Sequence, residues 1–572
     1  MKKSNIIMLL MINSIIFFAA CDVFAADSSN YRKSVMIIPL DSRPANVLYP
    51  ELICKIAGFK PIFPPAELMD NFQVPADTEK LCDWMISNSN KADAYIISAS
   101  MLCYGGLIAS RTPQKHLYQA LKNLECIKEL KTRYPQKPVF VYDIIQRLAV
   151  TADSEKDFQY YKLVREWAIL EDKVKVNPES GDFEKLESLK LKIPSNIFKD
   201  YINARKRNNA VNMRSIQLCR AGFIDYLVLG QDDASKYGIH KKEARLLNSF
   251  AANIKINDRV KMFPGADEIC AIFAARLSSL YSGKKISYYA LYPNAETMNW
   301  IAIFEDLELS ESISRHVEVS GAKLCDKISD ADIILAVNGT AENETKRKLD
   351  MANLAAKIKS LSENGRRLAV VDAFVSNKAD TEFVELLNSN FDITRLFAYS
   401  ALNTVGNKTG FAIAQASARF DSLNMKPSGR CELSGAIDFK KLKLSCAKAH
   451  YELLMLRFLK DYSYKIFVMN SAQKYIKENC GDQFNLKSMH AAVEKFVSDE
   501  LTPHVYNWFK KFKGITMKID ESDRLEEKFY IKDIRDLKIT LPWPRIFEAK
   551  ICCEFCTESD KNACAKTYEK GL

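Results

Sequence analysis

The sequence predicts an α/β fold with parallel strands, a (β/α)8-like barrel followed by a mostly helical C-terminal unit. Three observations carry this prediction. Short apolar, β-prone runs recur along the first two-thirds of the chain, helical patterns separate most of them, and nearly every run ends abruptly in acidic, amide or hydroxyl side chains. Strands alternating with helices are the pattern of a parallel sheet. Polar groups at nearly every strand end are what a barrel offers its pocket, whereas an open doubly wound sheet gathers them at one switch point.

Each element follows in order. Residues 35–40 form the first run, which breaks into Asp41-Ser42-Arg43-Pro44-Ala45-Asn46. Helical patterns over 49–57 and 78–88 lead to a strand at 94–97, which opens into a loop carrying Tyr104 before Gly105-Gly106. Over 116–134 the apolar residues Leu117, Ala120, Leu121, Leu124, Ile127 and Leu130 recur at three- and four-residue spacing, which buries one face of a helix. A strand at 138–142 ends in Asp143. Residues 153–220 are charged and helical with no strand, and read as an inserted excursion.

The rhythm then resumes. Strands are expected before Gln231-Asp232-Asp233, before Asp267-Glu268, over 286–292 ahead of Asn294, over 333–337 ahead of Asn338, over 367–371 ahead of Asp372, and over 396–399 ahead of Ser400, Asn403 and Asn407. That gives nine candidate strands, of which eight would close a barrel. The barrel-like domain spans 33–435. From 436 the pattern turns to consecutive amphipathic helices and a β-like tail at 537–548.

The first residues stand apart from this fold. Lys2-Lys3, an apolar stretch over 6–20 and Val23-Phe24-Ala25 have the form of a signal peptide cut after Ala25. Ala19-Ala20-Cys21 offers a competing reading in which Cys21 carries a lipid, against which Phe18 stands where Leu is expected. Either way the mature chain is expected outside the cytoplasm, periplasmic or extracellular, with no stable membrane span.

Composition narrows the partners. The net charge of +11, from 82 basic and 71 acidic residues, is spread along Lys-rich helices instead of forming the cluster that a nucleic-acid site needs. A solvated basic surface suits anionic polymers of a cell envelope. The 15 cysteines are mostly scattered through apolar elements as small buried side chains, while Cys552, Cys553, Cys556 and Cys564 are expected to form local disulfides in preference to a zinc site.

No G-x-G-x-x-G follows the first strand and no P-loop occurs, so nucleotide binding lacks its phosphate cradle. The six histidines have no H-x-H or H-E-x-x-H spacing. No cofactor is implied.

The chemistry is therefore sought among carboxylates. Asp232 and Asp233, adjacent at a strand end, resist ionising together when desolvated, so one can stay protonated as general acid while its neighbour stays charged. Glycoside hydrolysis requires that division. The competing role for such residues is helix capping, and Asp267 is read as the N-cap of a helix starting at Ile269, leaving Glu268 to join the catalytic set. Asp41 and Arg43 form a charged pair able to clamp a carboxylate or a hydroxyl. With them, Asn46, Tyr104, Asp143, Asn294, Asn338, Asp372, Asn403 and Asn407 are the candidate ligand contacts.

Five motifs, Pro39-Leu40-Asp41-Ser42-Arg43-Pro44-Ala45-Asn46, Gly230-Gln231-Asp232-Asp233-Ala234, Gly265-Ala266-Asp267-Glu268, residues 399–407 and residues 541–548, resemble in order those of the bacterial family catalogued as domain of unknown function 4127. The resemblance runs over 35–548, with Ala401-Leu402 standing where a Gly-Trp pair is expected. It implies no activity. The expectation drawn from the residues is an exported glycoside hydrolase acting on an envelope or environmental glycan. Its alternatives are a non-catalytic glycan-binding or envelope protein, or a hydrolase holding a hard cation through Asp41, Asp232, Asp233, Glu268 or Asp372.

Overall fold

The computed structural model describes residues 31–557 apart from 153, 156, 427–437 and 522–527. The expected signal peptide, Cys21 and Cys564 lie outside the described residues. Among the described residues eleven parallel strands form two sheets. The first sheet contains β1 (Lys33–Ile38), β2 (Phe59–Ile62), β3 (Ala94–Ser98), β4 (Val139–Ile145), β5 (Tyr226–Gln231) and β6 (Val260–Pro264), in the order β2-β1-β3-β4-β5-β6. The second contains β7 (Ser287–Leu291), β8 (Lys323–Leu324), β9 (Ile333–Asn338), β10 (Leu368–Asp372) and β11 (Ala398–Ser400), in the order β11-β10-β9-β7-β8. The α/β class with parallel strands is what the sequence predicts. The pairings trace one sheet of six and one of five, and by themselves do not trace a single ring of eight.

Nine of these strands are the nine apolar runs. The two others have reasons to escape notice. β2 is four residues long and contains Pro61, which is tolerated because β2 is the sheet's outermost strand. β8 has two residues, both exposed.

Register places the functional groups. Ile38 pairs with Ile97, Ser98 with Tyr142, Ile145 with Gln231, and Gln231 with Pro264, so the carboxyl ends of β1 and β3–β6 lie near one level. In the second sheet Asp372 pairs with Asn338 and Ser400 with Val371. β3, β4 and β5 are buried along their whole length, as parallel strands covered on both faces must be.

Helix Ile269–Ser282 follows β6 and is apolar on almost every face, and such a helix belongs in a core. It packs on helix Leu48–Ile56 and on helix Val405–Asn424, which follows β11, and so joins the two sheets. Gly410 permits the close approach, since a Cβ there would collide with Cβ and Cγ of Glu268.

Helices Phe158–Val176, Asp182–Lys192 and Ser195–Arg220 occupy the stretch between β4 and β5. Beyond the second sheet come helix Phe439–Arg457, an eleven-residue π-helix Phe458–Val468, and helices Met469–Glu478 and His490–Phe512. An antiparallel pair, β12 (Ile531–Thr540) and β13 (Lys550–Thr557), ends the described chain. Cys552 and Cys553, expected in local disulfides, are free thiols on β13. Among the described residues no helix is long and apolar enough to cross a membrane.

Candidate functional site

The site begins where β1 stops. The Arg43 backbone N–H donates to Asp41 Oδ1 at 3.1 Å, and the Arg43 Nε donates to Asp41 Oδ2 at 2.9 Å, so the chain turns on its own carboxylate. The same guanidinium reaches the end of β6, donating to Asp267 Oδ1 at 2.6 Å and Oδ2 at 3.3 Å in a two-pronged fork. Asn46 Nδ2 bridges the two acids, at 2.8 Å from Asp41 and 3.1 Å from Asp267. From the end of β11, Asn403 Nδ2 donates to Asp267 Oδ2 at 2.9 Å, and Asn407 Oδ1 accepts the Asp267 backbone N–H at 3.2 Å. Three strand ends from two sheets are thus fastened through Asp267.

Burial sets the protonation of this cluster. Asp267 is pushed up to about 6 by desolvation, against the pull of Arg43 and with the added repulsion of Asp41. Burial works against the charge of Arg43, yet Asp267 and Asp41 hold its guanidinium well above the ordinary value.

A second pair of carboxylates lies on the next wall. Asp232 is bound by Arg111 at 2.6 Å, and Asp233 lies 3.4 Å from Arg147. Burial raises both carboxyls, but for Asp232 the charges of Arg111 and Arg147 more than offset it and the pKa falls below the ordinary carboxylate value. For Asp233 burial and the neighbouring Asp232 prevail and the pKa rises. Asp233 also sits at φ 45°, a left-handed conformation held by Arg165, whose guanidinium donates to the carbonyls of Asp233 and Ala234.

The third wall comes from the far end of the sequence. Trp543 donates from Nε1 to Ser42 Oγ at 2.9 Å and stands 5.5 Å from Phe72, with Arg43 5.5 Å from its ring centroid. The strap 543–548 is carried by the π-helix, where Tyr464 donates to the Ile546 carbonyl at 2.5 Å and Lys465 to the Phe547 carbonyl at 2.8 Å. Single-turn π-bulges are the common form, and they cluster at functional sites. Here the wide turn points Lys460, Tyr464 and Lys465 inward together. Glu548 is buried beside Arg43 at 3.6 Å and Lys460 at 3.9 Å, and although burial raises its carboxyl, Lys460 and Arg43 bring it below the ordinary value.

Between these walls lies a cavity of about 410 Å³, lined by Asp41, Arg43, Arg111, Arg147, Asp232, Asp233, Asp267, Asn377, Asn403, Thr404, Asn407 and Arg545, and by the rings of Phe158, Tyr161, Phe304, Phe484, Trp543 and Phe547. Four of the nine described non-glycine residues with positive φ, Asp233, Phe304, Asn377 and Asn403, are in this lining. Strained backbone concentrates at sites where side chains must be aimed.

The structure brings together Asp41, Arg43, Asp232, Asp233, Asn403 and Asn407 from the sequence-derived set, with Asn46 directly behind them. The others are elsewhere. Glu268 and Asp267 exchange the roles expected of them: Asp267 faces the pocket, while Glu268 turns into the core, where Oε2 accepts the Ala266 backbone N–H at 2.9 Å and Oε1 lies 3.3 Å from His316 Nε2. Gly265, at φ 141°, makes that turn possible, since a Cβ there would strike the Glu268 carboxylate.

Tyr104 is buried with Arg207 4.2 Å above its ring. Asp143 is enclosed by Ser100, Ser215, the Ile144 backbone N–H and Asn212, the last at 2.8 Å. Asn294 caps helix Ala295–Met298, accepting the Thr297 N–H at 2.6 Å. Asn338 donates to Asp372 at 2.9 Å, and Asp372 accepts from the Tyr399 hydroxyl at 2.8 Å, an arrangement internal to the second sheet. Asp143, Asn294, Asn338 and Asp372 are thus spent on neighbouring backbone and side chains.

Sequence reasoning passed over Arg111, Arg147, Asn377 and the aromatic lining, which no pattern marked. It had singled out the segment Trp543-Pro544-Arg545 without giving it a role. Among the described residues no group of three or more His, Cys, Asp or Glu side chains is placed to hold a metal ion.

A family described as Protein of unknown function (DUF4127) matches residues 35–552. The chain belongs to this family. No curated protein and no solved structure matches the chain. In this DUF4127 protein the matched span takes in every wall of the pocket, from Asp41 through Asp232 and Asp267 to Phe547.

Proposed function

We propose that this chain is an exported hydrolase of glycosidic bonds, with Asp233 as proton donor and Asp232 as its ionised partner. The observation that carries the reading is the unequal treatment of two adjacent carboxylates in one pocket. Asp232 is tied to Arg111 at 2.6 Å and driven toward the charged form, while Asp233 has only the longer 3.4 Å approach of Arg147 and is driven toward the protonated form. Titratable neighbours whose environments push them apart mark an acid and its counterpart. A protonated Asp233 delivers its proton to the leaving oxygen, and the charged Asp232 opposes the positive charge that develops at the anomeric carbon.

The lining supports a sugar as ligand. Rings such as Tyr161 and Phe304 match the apolar faces of pyranose rings, and Asn377, Asn403, Thr404 and Asn407 offer donors and acceptors to hydroxyls. The volume of about 410 Å³ lies in the range of small-molecule sites, roughly 300–1,000 Å³. In this reading the two sheets act as one barrel-like catalytic unit with strand ends turned onto the pocket.

A second reading, a glycan-binding protein without turnover, is favoured by one specific feature: Asp41, Asp232, Asp233 and Asp267 all face arginine. Wild type and Asp233→Asn, assayed side by side on a panel of aryl glycosides and envelope polysaccharides, separate the two. Loss of a general acid lowers turnover by about 10²–10⁴-fold while leaving binding nearly unchanged. Tight binding of a panel member with no turnover by the wild type would establish the binding protein instead.

A further inference from the structure

Three of the four arginines that line the pocket have a carboxylate partner: Arg43 holds Asp41 and Asp267, Arg111 holds Asp232, and Arg147 faces Asp233. Arg545 has none. Its guanidinium lies among ring faces, 4.7 Å from the Trp543 centroid, 5.2 Å from Phe72 and 5.6 Å from Phe547. Its Nε is buried without a hydrogen-bond partner, and among the described residues its side chain enters no ion pair. Its backbone N–H is occupied, donating to the Trp543 carbonyl at 2.7 Å, so the turn that presents the side chain is fixed.

A half-buried guanidinium with a buried, unpartnered Nε and no ion-paired carboxylate is costly unless a ligand supplies an anion. The cost registers in its acidity, since burial and then the neighbouring Arg43 draw the Arg545 pKa down to about 10 against the opposing pull of Glu548 and Asp41. The aspartates of the lining do not satisfy it, since Asp41 and Asp267 are held by Arg43, Asp232 by Arg111, and Asp233 lies beside Arg147. Ring faces around a planar guanidinium limit its orientation and shield its sides from water, and the residue lines the cavity.

We propose that the pocket takes an acidic sugar, and that Arg545 is the residue that recognises the sugar's oxyanion by a two-pronged hydrogen bond. This names a substrate class for the hydrolase reading and rests on it for the word substrate, but the binding claim stands by itself. A carboxylate, a sulfate or a phosphate presents the same pair of oxygens to a guanidinium.

The test is a calorimetric or tryptophan-fluorescence titration of the full chain with glucuronate, glucose 6-sulfate, glucose 6-phosphate and glucose, repeated at raised ionic strength. The expected result is that at least one acidic probe binds about ten- to a hundredfold more tightly than glucose, as a charge-assisted pair provides, and that the best of the three identifies the oxyanion. Arg545→Gln should abolish the preference for the acidic probe over glucose. Arg545→Lys, which keeps the charge and loses the fork, should retain part of it, and this variant decides the matter if Arg545→Gln does not fold. Equal binding of glucose and all three acidic probes, no binding of any acidic probe at millimolar concentration, or an undiminished preference in either folded variant would overturn the assignment.

The two proposals fail separately. Acid-selective binding without turnover leaves the role of Arg545 standing and removes the hydrolase. Turnover confined to neutral glycosides, with no selectivity in binding, does the reverse.

Discussion

Replacing Arg43 with glutamine gives the sharpest reading of the site's construction. The guanidinium sits between Asp41 and Asp267, with Glu548 at 3.6 Å, and its side chain is 8% exposed. Removing one partner of a buried ion pair costs about 3–5 kcal/mol, because the other partner stays buried without compensation. Against a total stability of about 5–15 kcal/mol, that is a large fraction.

The loss must depend on pH. Asp267 titrates at about 6 in the fold with Arg43 present, and near 3.9 when unfolded, a gap of about 2 units or ~3 kcal/mol. Because the folded-state value is the higher one, the stability contributed by this group is complete below about pH 4 and is lost as pH rises through 6. Without Arg43 the folded-state value climbs further, so Arg43→Gln is destabilised less at about pH 5 than at about pH 7.5. Urea unfolding of both proteins at the two pH values, followed by tryptophan fluorescence and far-ultraviolet circular dichroism, measures the difference. A loss below about 1 kcal/mol, or the same loss at both pH values, would show that Arg43 does not hold this cluster together.

Other expectations follow from the same contacts. Lys408 is fully buried and donates to the carbonyls of Asp372, Val375 and Lys378 at 2.7, 2.5 and 3.2 Å, so Lys408→Met should cost about 3–5 kcal/mol in urea unfolding and release the loop that carries Asn377 to the pocket. Burial draws the Lys408 pKa down to about 8. With the folded-state value the lower one, wild-type stability from this group rises as pH goes from 8 toward the unfolded value near 10.4, a slope that should vanish in Lys408→Met. Gly410→Ala, which drives a methyl into Glu268, should cost about 1–3 kcal/mol in thermal unfolding through the contact between the two central helices. Trp543→Ala, at a site 1% exposed, should cost about 3–5 kcal/mol and weaken any ligand that contacts Arg545, which titration of that ligand would register.

The fold was legible because buried parallel strands leave an unmistakable trace. Runs such as Val35–Ile38 and Leu227–Leu229 cannot be read as anything exposed, and their polar terminators mark which end carries the site. What escaped was whatever lacks that trace: an edge strand holding Pro61, a two-residue strand at Lys323, and the number of sheets into which the strands are divided, which depends on pairing and not on pattern. Strand-end polarity also overstated the site. Asp372 ends β10, while Asp143 lies within β4, which runs two residues past it, and Tyr399 and Asn212 respectively absorb them.

The exchange between Asp267 and Glu268 turns on the backbone at Gly265, a matter of one dihedral angle that residue types do not reveal. Arg111 and the aromatic rings come from loops and helices with no periodicity of their own.

The strap that closes the pocket has a consequence for how the protein comes into being. Synthesis runs from the N-terminus, so Asp41, Arg43 and Asp267 are made long before residues 543–548 exist. Until that late segment is laid against Ser42, the cavity lacks Trp543, Arg545 and Phe547, and Arg43 lacks the nearby Glu548. The pocket is therefore completed only by the end of the chain, and the helices made just before the strap share one hydrophobic core with the sheets they cover.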